Sequence, residues 1–504
     1  MFTTATSQLR LALALSLGNR VPVRSLERVV DAMRDTIAEF GSLGEDAASL
    51  IKGPALAADT KRLVLLKNFV KQAVLAQERT EFYEGLFPKA GLNPRHMRFE
   101  DIGRLPVTTK DSLRCNPDAF LSRGSAPQLR VTTTGTTGWP TSVYFSEDEL
   151  RIVVAVTTSH VLLRRFVDPD DIVQVCLSSR ASIALAGVMG SCAKIGAPAY
   201  LAGLVAPATV LALLTERRSI PGKRRMTSVM DIYPSHLGEV VEYGLGNGFR
   251  PQDFGLRRLI VGGEVVTDGL KARARRLFGE ELSFEENFAM TETVPMGGTQ
   301  CSAGHLHYEV SAGLVEFLAL DGLSPGQSAP AAEPGEPGSL VATPFAPYRQ
   351  TTLLVRYDTE DVAQPLAGPL DCELADFPAS SRLLGKRRLS VHTDVGWTFP
   401  RQVLEALEGL ESVPLPARFN MVRVPGGVRV TALVREADAQ TRRTVRDALE
   451  RQGVPLCQLE LVVAEQDLPN PYPLRCTLRE YMQPGAGPTQ VATQAVKLAQ
   501  VGGR

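Results

Sequence analysis

The stretch from Thr132 to Thr141, Thr-Thr-Thr-Gly-Thr-Thr-Gly-Trp-Pro-Thr, limits more than any other what this chain can build. Gly135 and Gly138 let the backbone turn tightly and come close to a ligand, and the five hydroxyls between Thr132 and Thr137 can donate to oxyanions. Successive backbone N–H groups turned inward make an anion-holding concavity. Thr132, Thr133, Thr134, Gly135, Thr136, Thr137 and Gly138 therefore read as a phosphate cradle. The loop has neither the Gly-Lys-Ser/Thr ending of a P-loop nor the Gly-x-Gly-x-x-Gly of a dinucleotide fingerprint. Taken alone, the stretch reads equally well as a threonine-rich turn between two strands.

Four further stretches follow in order: Leu105-Pro-Val-Thr-Thr-Lys-Asp-Ser-Leu113, Val261-Gly-Gly-Glu264, Phe288-Ala-Met-Thr-Glu292 and Arg356-Tyr-Asp-Thr-Glu-Asp361, with the threonine loop between the first and second. Together they resemble the motif series of adenylate-forming enzymes, the acyl-CoA synthetase superfamily, in its phenylacetate-CoA ligase branch. The resemblance spans about residues 61 to 482. It implies an α/β fold: a large N-terminal domain of layered sheets and helices, and a small, mobile α+β C-terminal lid. It also implies ATP and Mg²⁺ as cofactors, a carboxylic acid as substrate, and CoA, an amine or a carrier thiol as acceptor. In that family Gly263 and Glu264 correspond to the strand end that meets adenine, Phe288 to a tyrosine that stacks on it, and Asp361 to the aspartate that accepts both ribose hydroxyls. Thr291 matches a phosphate ligand and Glu292 a Mg²⁺ ligand, a hard oxygen donor suited to that ion. Tyr233 and Ser235, in Met226 to His236, fall near the acyl site. Ala186, Gly187, Val188 and Gly190 fall in the segment that lines the acyl pocket, although small residues in a helix also serve close packing. His236 is a lone histidine, for which capping or packing is the plainer role.

The lid motifs depart from the family. Gly385 to Pro400 resembles the hinge and first lid strand, but Lys386 stands for the family's arginine and Arg388 for its acidic hinge residue. In Leu468-Pro-Asn-Pro-Tyr-Pro-Leu-Arg475, Leu474 occupies the position of the catalytic lysine, and Arg475 is the neighbouring cation. Arg475 thus joins Thr291 and Glu292 as a candidate catalytic residue, and Lys386 joins the nucleotide set. A catalytically weak nucleotide-binding protein is the competing reading. Cys301, His305 and His307, with Cys372 much later, resemble a zinc set of some relatives. The candidates for the ion are Cys301, His307 and Cys372, and a closed site needs a fourth ligand.

With 504 residues the chain is too long for one core, which stops growing at about 250 to 300 residues. The expected division is a helical extension over 1–60, the large domain over 61–384, the lid over 385–482 and a disordered tail over 483–504. Lys plus Arg equals Asp plus Glu at 55 each, so global charge draws the chain to neither nucleic acid nor anionic lipid. Seven cysteines without framework spacing fit a reducing cytoplasm, and no apolar run is long enough for a membrane span. Relatives in this branch are often homodimers. Few charges are evident in the acyl-pocket segment, so the expected acid is apolar or aromatic. Apolar periodicity predicts helices over Leu26–Phe40, Glu149–Leu163 and Leu270–Phe278, the last with Lys271, Arg273, Arg275 and Arg276 on a solvated face, and strands over Ile172–Leu177 and Leu353–Tyr357.

Overall fold

The computed structural model describes residues 22–44, 58–133, 140–324 and 326–474. Helix α1 (Val23–Phe40) buries Val23, Leu26 and Val30, and Glu27 pairs with Arg151 across to the helix it lies on. Helices α2 (Ala58–Arg79) and α3 (Glu81–Lys89) then pack Phe69, Tyr83 and Phe87 into a first core, with Thr80 capping α3 through the Tyr83 N–H. The short α4 (Lys110–Cys115) follows, capped by Thr109.

Strands β1 (Leu129–Thr132) and β2 (Ser142–Phe145) form an antiparallel hairpin whose tip is the threonine loop. Residues 134–139 of that tip lie outside the described residues, and so do Arg475 and the tail from 483. Helix α5 (Glu147–Arg164) begins with a capping box, the Ser146 hydroxyl accepting from Glu149 N and Glu149 from Ser146 N. The same Glu149, 1% exposed, also accepts from the Gln350 and Thr351 N–H groups and so clamps a distant loop to the helix start.

The central sheet has nine strands: β3 (Val173–Cys176), β4 (Ala199–Leu201), β5 (Val229–Ile232), β6 (Arg258–Gly262), β7 (Ser283–Ala289), β8 (Gly297–Gln300), β9 (Leu306–Tyr308), β13 (Pro365–Leu366) and β14 (Ala379–Ser380), in the order β13-β14-β9-β8-β7-β6-β5-β3-β4. The run from β4 to β7 is parallel and the remainder antiparallel. Helices α6 (Ser182–Ile195) and α5 cover one face; α7 (Pro207–Thr215), α8 (Pro234–Gly246) and α9 (Asp268–Phe278) cover the other. A second, antiparallel sheet runs β10 (Gly313–Ala319), β11 (Gly338–Pro344), β12 (Tyr357–Ala363) and β15 (Gly385–Lys386).

After Lys386 the chain enters a smaller α+β unit. It holds the hairpin β16 (Val391–Thr393) and β17 (Gly396–Thr398), helices α10 (Pro400–Glu408) and α11 (Ala439–Arg451), and a sheet of β18 (Phe419–Val424), β19 (Gly427–Leu433) and β20 (Leu456–Val462) with its own core. This unit docks on α8 and α9. A Cβ on Gly269 would fall 2.4 Å from the Gly409 nitrogen, so only glycine admits the approach.

Two expectations are corrected here. The basic face of α9 is not simply solvated. Arg273, 4% exposed, donates to Val413 O at 2.9 Å and pairs with Glu242 at 2.8 Å, and Lys271 pairs with Glu286 inside the fold. The strand placed at Leu353–Tyr357 begins only at Tyr357. Arg356 has φ 48° and its buried guanidinium binds Glu316 and backbone carbonyls, which turns Leu353, Leu354 and Val355 into the core without a ladder partner. The Leu26 stripe, α5 and the strand around Val173 form as expected.

Candidate functional site

Ligand sites in parallel sheets lie where the strands end at their carboxyl termini. A cavity of about 680 Å³ opens there in this protein, where β5, β6 and β7 run out into Tyr233, Gly263 and Met290. Gly263 has φ 84°, a backbone conformation that suits glycine and lets the chain leave β6 sharply toward Glu264, whose carboxylate accepts the Ser235 N–H at 2.9 Å. From the motif series, Thr133, Tyr233, Ser235, Gly263, Glu264, Phe288, Thr291, Glu292, Asp361 and Lys386 all line this one cavity. Thr132 ends β1 beside it, and Thr133 closes the base of the loop by pairing with Thr141 at 2.9 and 3.0 Å.

Two ion pairs organise one side of the cavity. Glu292, 1% exposed, accepts from Lys110 Nζ at 3.2 Å and from the Tyr357 hydroxyl at 3.1 Å. Burial pushes its carboxyl up, but Lys110 and neighbouring donors outweigh this and hold it below the ordinary carboxylate range. Facing it across the second sheet, Asp361 and Lys386 are register partners on β12 and β15, and Lys386 Nζ donates to Asp361 Oδ2 at 2.8 Å and Thr359 O at 3.1 Å. Burial lowers the Lys386 pKa, partly offset by Asp361. Leu474, 7% exposed, lines the cavity beside Tyr472 and Pro473, so the side chain at this position is apolar.

The lining beside α6 differs from the expectation. Gly187 faces the cavity, but Ala186 and Gly190 are absent from its lining. A Cβ at Gly190 would lie 2.8 Å from Val154, so that glycine serves the contact between α5 and α6. His236 is buried, with Nε2 2.9 Å from Val205 O, and does not line the cavity. Nor is the lining free of charge. Asp231, His160 and Arg164 all face it, and sequence reasoning missed them together with Lys110. Lys110 stood in a quoted motif, and Asp231 was visible as a single acid in the apolar run Val229-Met-Asp-Ile232.

Four potential metal ligands gather behind one wall. Cys301, His305, His307 and Cys372 place one ligand atom each within 4.8 Å of one another, and Cys372 Sγ lies 3.4 Å from His307 Nε2. His305 completes the set of three read from the sequence. The Asp168, Asp170 and Asp171 group is instead neutralised by Arg224 and Arg257. No described helix is long and apolar enough to cross a membrane.

No protein-family model matches this chain, and no curated protein does. Solved structures do match. 2-Hydroxyisobutyryl-CoA ligase in the postadenylation state, in complex with R3-HIB-AMP, superposes with TM-score 0.65 at 17% identity over 82% of this chain and 89% of that one. The same ligase in an open conformation with 2-HIB-AMP and CoA gives 0.58 at 18% identity over 82% and 91%, and in the thioesterification state 0.55 at 19% identity over 81% and 87%. The chain has the fold of the adenylate-forming CoA ligases, with both the large domain and the small α+β domain.

Proposed function

We propose that the protein activates a carboxylic acid with ATP as an acyl-adenylate and passes the acyl group to CoA, or to an amine or carrier thiol in its place. The observation that carries this reading is the convergence of Thr133, Gly263, Glu264, Phe288, Thr291, Glu292, Asp361 and Lys386 on one cavity at the carboxyl ends of parallel strands. A carboxylate oxygen attacks the α-phosphorus, the bond to the bridging oxygen of pyrophosphate breaks, and pyrophosphate leaves. The acceptor then attacks the acyl carbon and AMP departs with the carboxylate's oxygen.

Such chemistry rests on positioning and on neutralising charge that builds on phosphate oxygens. On this reading Asp361 accepts the ribose hydroxyls and Phe288 stacks on adenine. With leucine at position 474, the buried Lys110 and the half-buried Lys386 are the lysines that line the cavity among the described residues, and Lys386 takes up charge at the α-phosphate. Mg²⁺ suits the site, because it is commonly held by one or two carboxylates plus substrate phosphates, and Glu292 offers such a carboxylate inside the cavity. Bound there, it would neutralise phosphate charge.

Zinc suits the second cluster, whose two thiols and two imidazoles are the donor set of a closed tetrahedral site. There it would tie the β8–β9 turn to the segment around Cys372, which supports the cavity wall at His307 and Leu374. A cytoplasmic location and a homodimer accord with the cysteine usage and with the family branch.

Carboxylate-dependent exchange of labelled pyrophosphate into ATP tests adenylation, and product analysis with CoA against amines identifies the acceptor. Exchange absent with every acid, at full nucleotide binding, would leave only the binding-protein reading, which the leucine at position 474 favours.

A further inference from the structure

On the acyl side, the sheet places a carboxyl group where nothing in the protein answers it. Val175, Asp231, Ile260 and Glu285 are register partners across β3, β5, β6 and β7, so their side chains share one face in a row. That face looks toward α5 and α6, because Val175, Val229 and Tyr233 pack there with Ile152, Ala155 and Cys192, while Met230 and Ile232 pack on the opposite face. Over the row lie the small side of α6, with Ala184 and Gly187, and the polar side of α5, with Thr157, His160 and Arg164.

The two acids of the row are treated differently. Glu285 pairs with Arg164 at 3.3 Å. Asp231, 6% exposed and lining the cavity, forms no hydrogen bond and no ion pair among the described residues. Burial alone pushes its carboxyl up to about 7. His160 supplies no counter-charge at neutral pH, since burial and Arg164 bring its imidazole down to about 4. The Asp231 oxygens are not among the fully enclosed unpartnered atoms of the described residues, so the cavity is the space from which a partner reaches them.

We propose that Asp231 is a specificity-determining residue of the acyl pocket, and that the acid activated here carries a hydrogen-bond donor, an amine or hydroxyl, that meets it. The inference rests on the acyl-adenylate reading above and names its substrate class. Asp231 stands two residues before Tyr233, about 6 to 7 Å deeper along β5 at the ordinary strand rise, so the donor sits at the end of the acid away from its carboxylate. The apolar acid expected from the sequence gives way to one with a polar far end.

The test is calorimetry without ATP, using heptanoate, 6-hydroxyhexanoate and 6-aminohexanoate, and para-methyl-, para-hydroxy- and para-aminomethylbenzoate. In at least one series a donor-bearing acid binds the wild type about tenfold or more tighter than its methyl counterpart, and Asp231→Leu brings that ratio to about one. Asp231→Asn keeps the shape and retains the hydroxyl preference while losing the ammonium preference. The leucine variant melts above the wild type, because it removes an unanswered carboxyl; a structural role for Asp231 would lower the melting point. Methyl acids bound as tightly as their donor counterparts throughout, no donor-bearing acid bound, or a preference surviving in Asp231→Leu overturns the inference. Pyrophosphate exchange is measured separately, so that a donor preference without exchange removes the proposed activity and leaves the role of Asp231 standing.

Discussion

Replacing Lys110 with methionine removes the cation that holds Glu292 charged inside the fold. The two side chains are 10% and 2% exposed and their charged atoms lie 3.2 Å apart. At an effective dielectric of about 20, Coulomb's law gives their attraction as about 5 kcal/mol. Breaking a buried pair from one side costs about 3–5 kcal/mol because it strands the other charge. The Tyr357 hydroxyl still donates to Glu292 at 3.1 Å and softens the loss. The expected cost of Lys110→Met is therefore at the low end, about 3 kcal/mol. Glu292→Gln alone strands Lys110 and costs a similar amount, whereas the double variant costs less than the two singles together. The assay is denaturant unfolding of all four proteins, followed by near-ultraviolet dichroism and read as a double-mutant cycle. Because Glu292 is held below the ordinary carboxylate range in the wild type, its contribution is present at neutral pH and fades as pH falls through the folded value. In Lys110→Met that fading moves upward toward neutrality. Singles that each cost under about 1 kcal/mol, or a cycle that adds within about 0.5 kcal/mol, would refute the claim that these two charges are coupled.

Asp361→Asn should weaken AMP binding about tenfold or more by calorimetry and also lower the melting point of the unliganded protein, because it removes one side of the ion pair with Lys386; unchanged affinity in the folded variant would remove Asp361 from the ribose site. Metal analysis of the purified protein should find about one zinc per chain, and Cys372→Ser should lose it with a lower melting point; a metal-free protein of full stability argues for four unligated side chains. Gly190→Val should destabilise by about 1–3 kcal/mol through contact with Val154 and leave acid affinity alone, since Gly190 is outside the cavity lining. Glu408, facing Thr267, the Ala417 N–H, Glu405 and Glu264, is pushed up to about 7 mainly by burial, so its contribution to stability is full below the ordinary carboxylate range and is lost as pH rises through 7. Glu408→Gln should accordingly flatten the decline in melting temperature between pH 5 and 8, and an unaltered profile would count against it.

What the sequence disclosed and what it hid differ in kind. Motif residues such as Glu292 and Asp361 could be picked out as candidates because they stand in short, recognisable stretches, and both line the one cavity. Their partners could not. Lys110 meets Glu292 over 182 positions, and Lys386 meets Asp361 only because β12 and β15 ladder together. Whether His305 or a water completes the cysteine and histidine set depended on the turn after β8, which brings His305 to Cys372. Arg273 read as solvated because helical spacing reveals which face is polar, but not that a second domain covers it. Likewise Gly187 and Gly190 lie on one helix with the same local signal, and only the packing of α5 separates cavity from contact. Leu353–Val355 had strand composition yet no strand to pair with, since Arg356 turns the chain aside.

Acyl transfer from the acid labelled with ¹⁸O in its carboxylate tests the central claim most directly. With both carboxylate oxygens labelled, ATP and a competent acceptor, the account predicts AMP carrying one ¹⁸O in its phosphate, read by mass spectrometry, and an acyl product that keeps the other in its carbonyl. Product formed with ADP and inorganic phosphate instead of AMP, or with unlabelled AMP, would contradict attack by the carboxylate on the α-phosphorus.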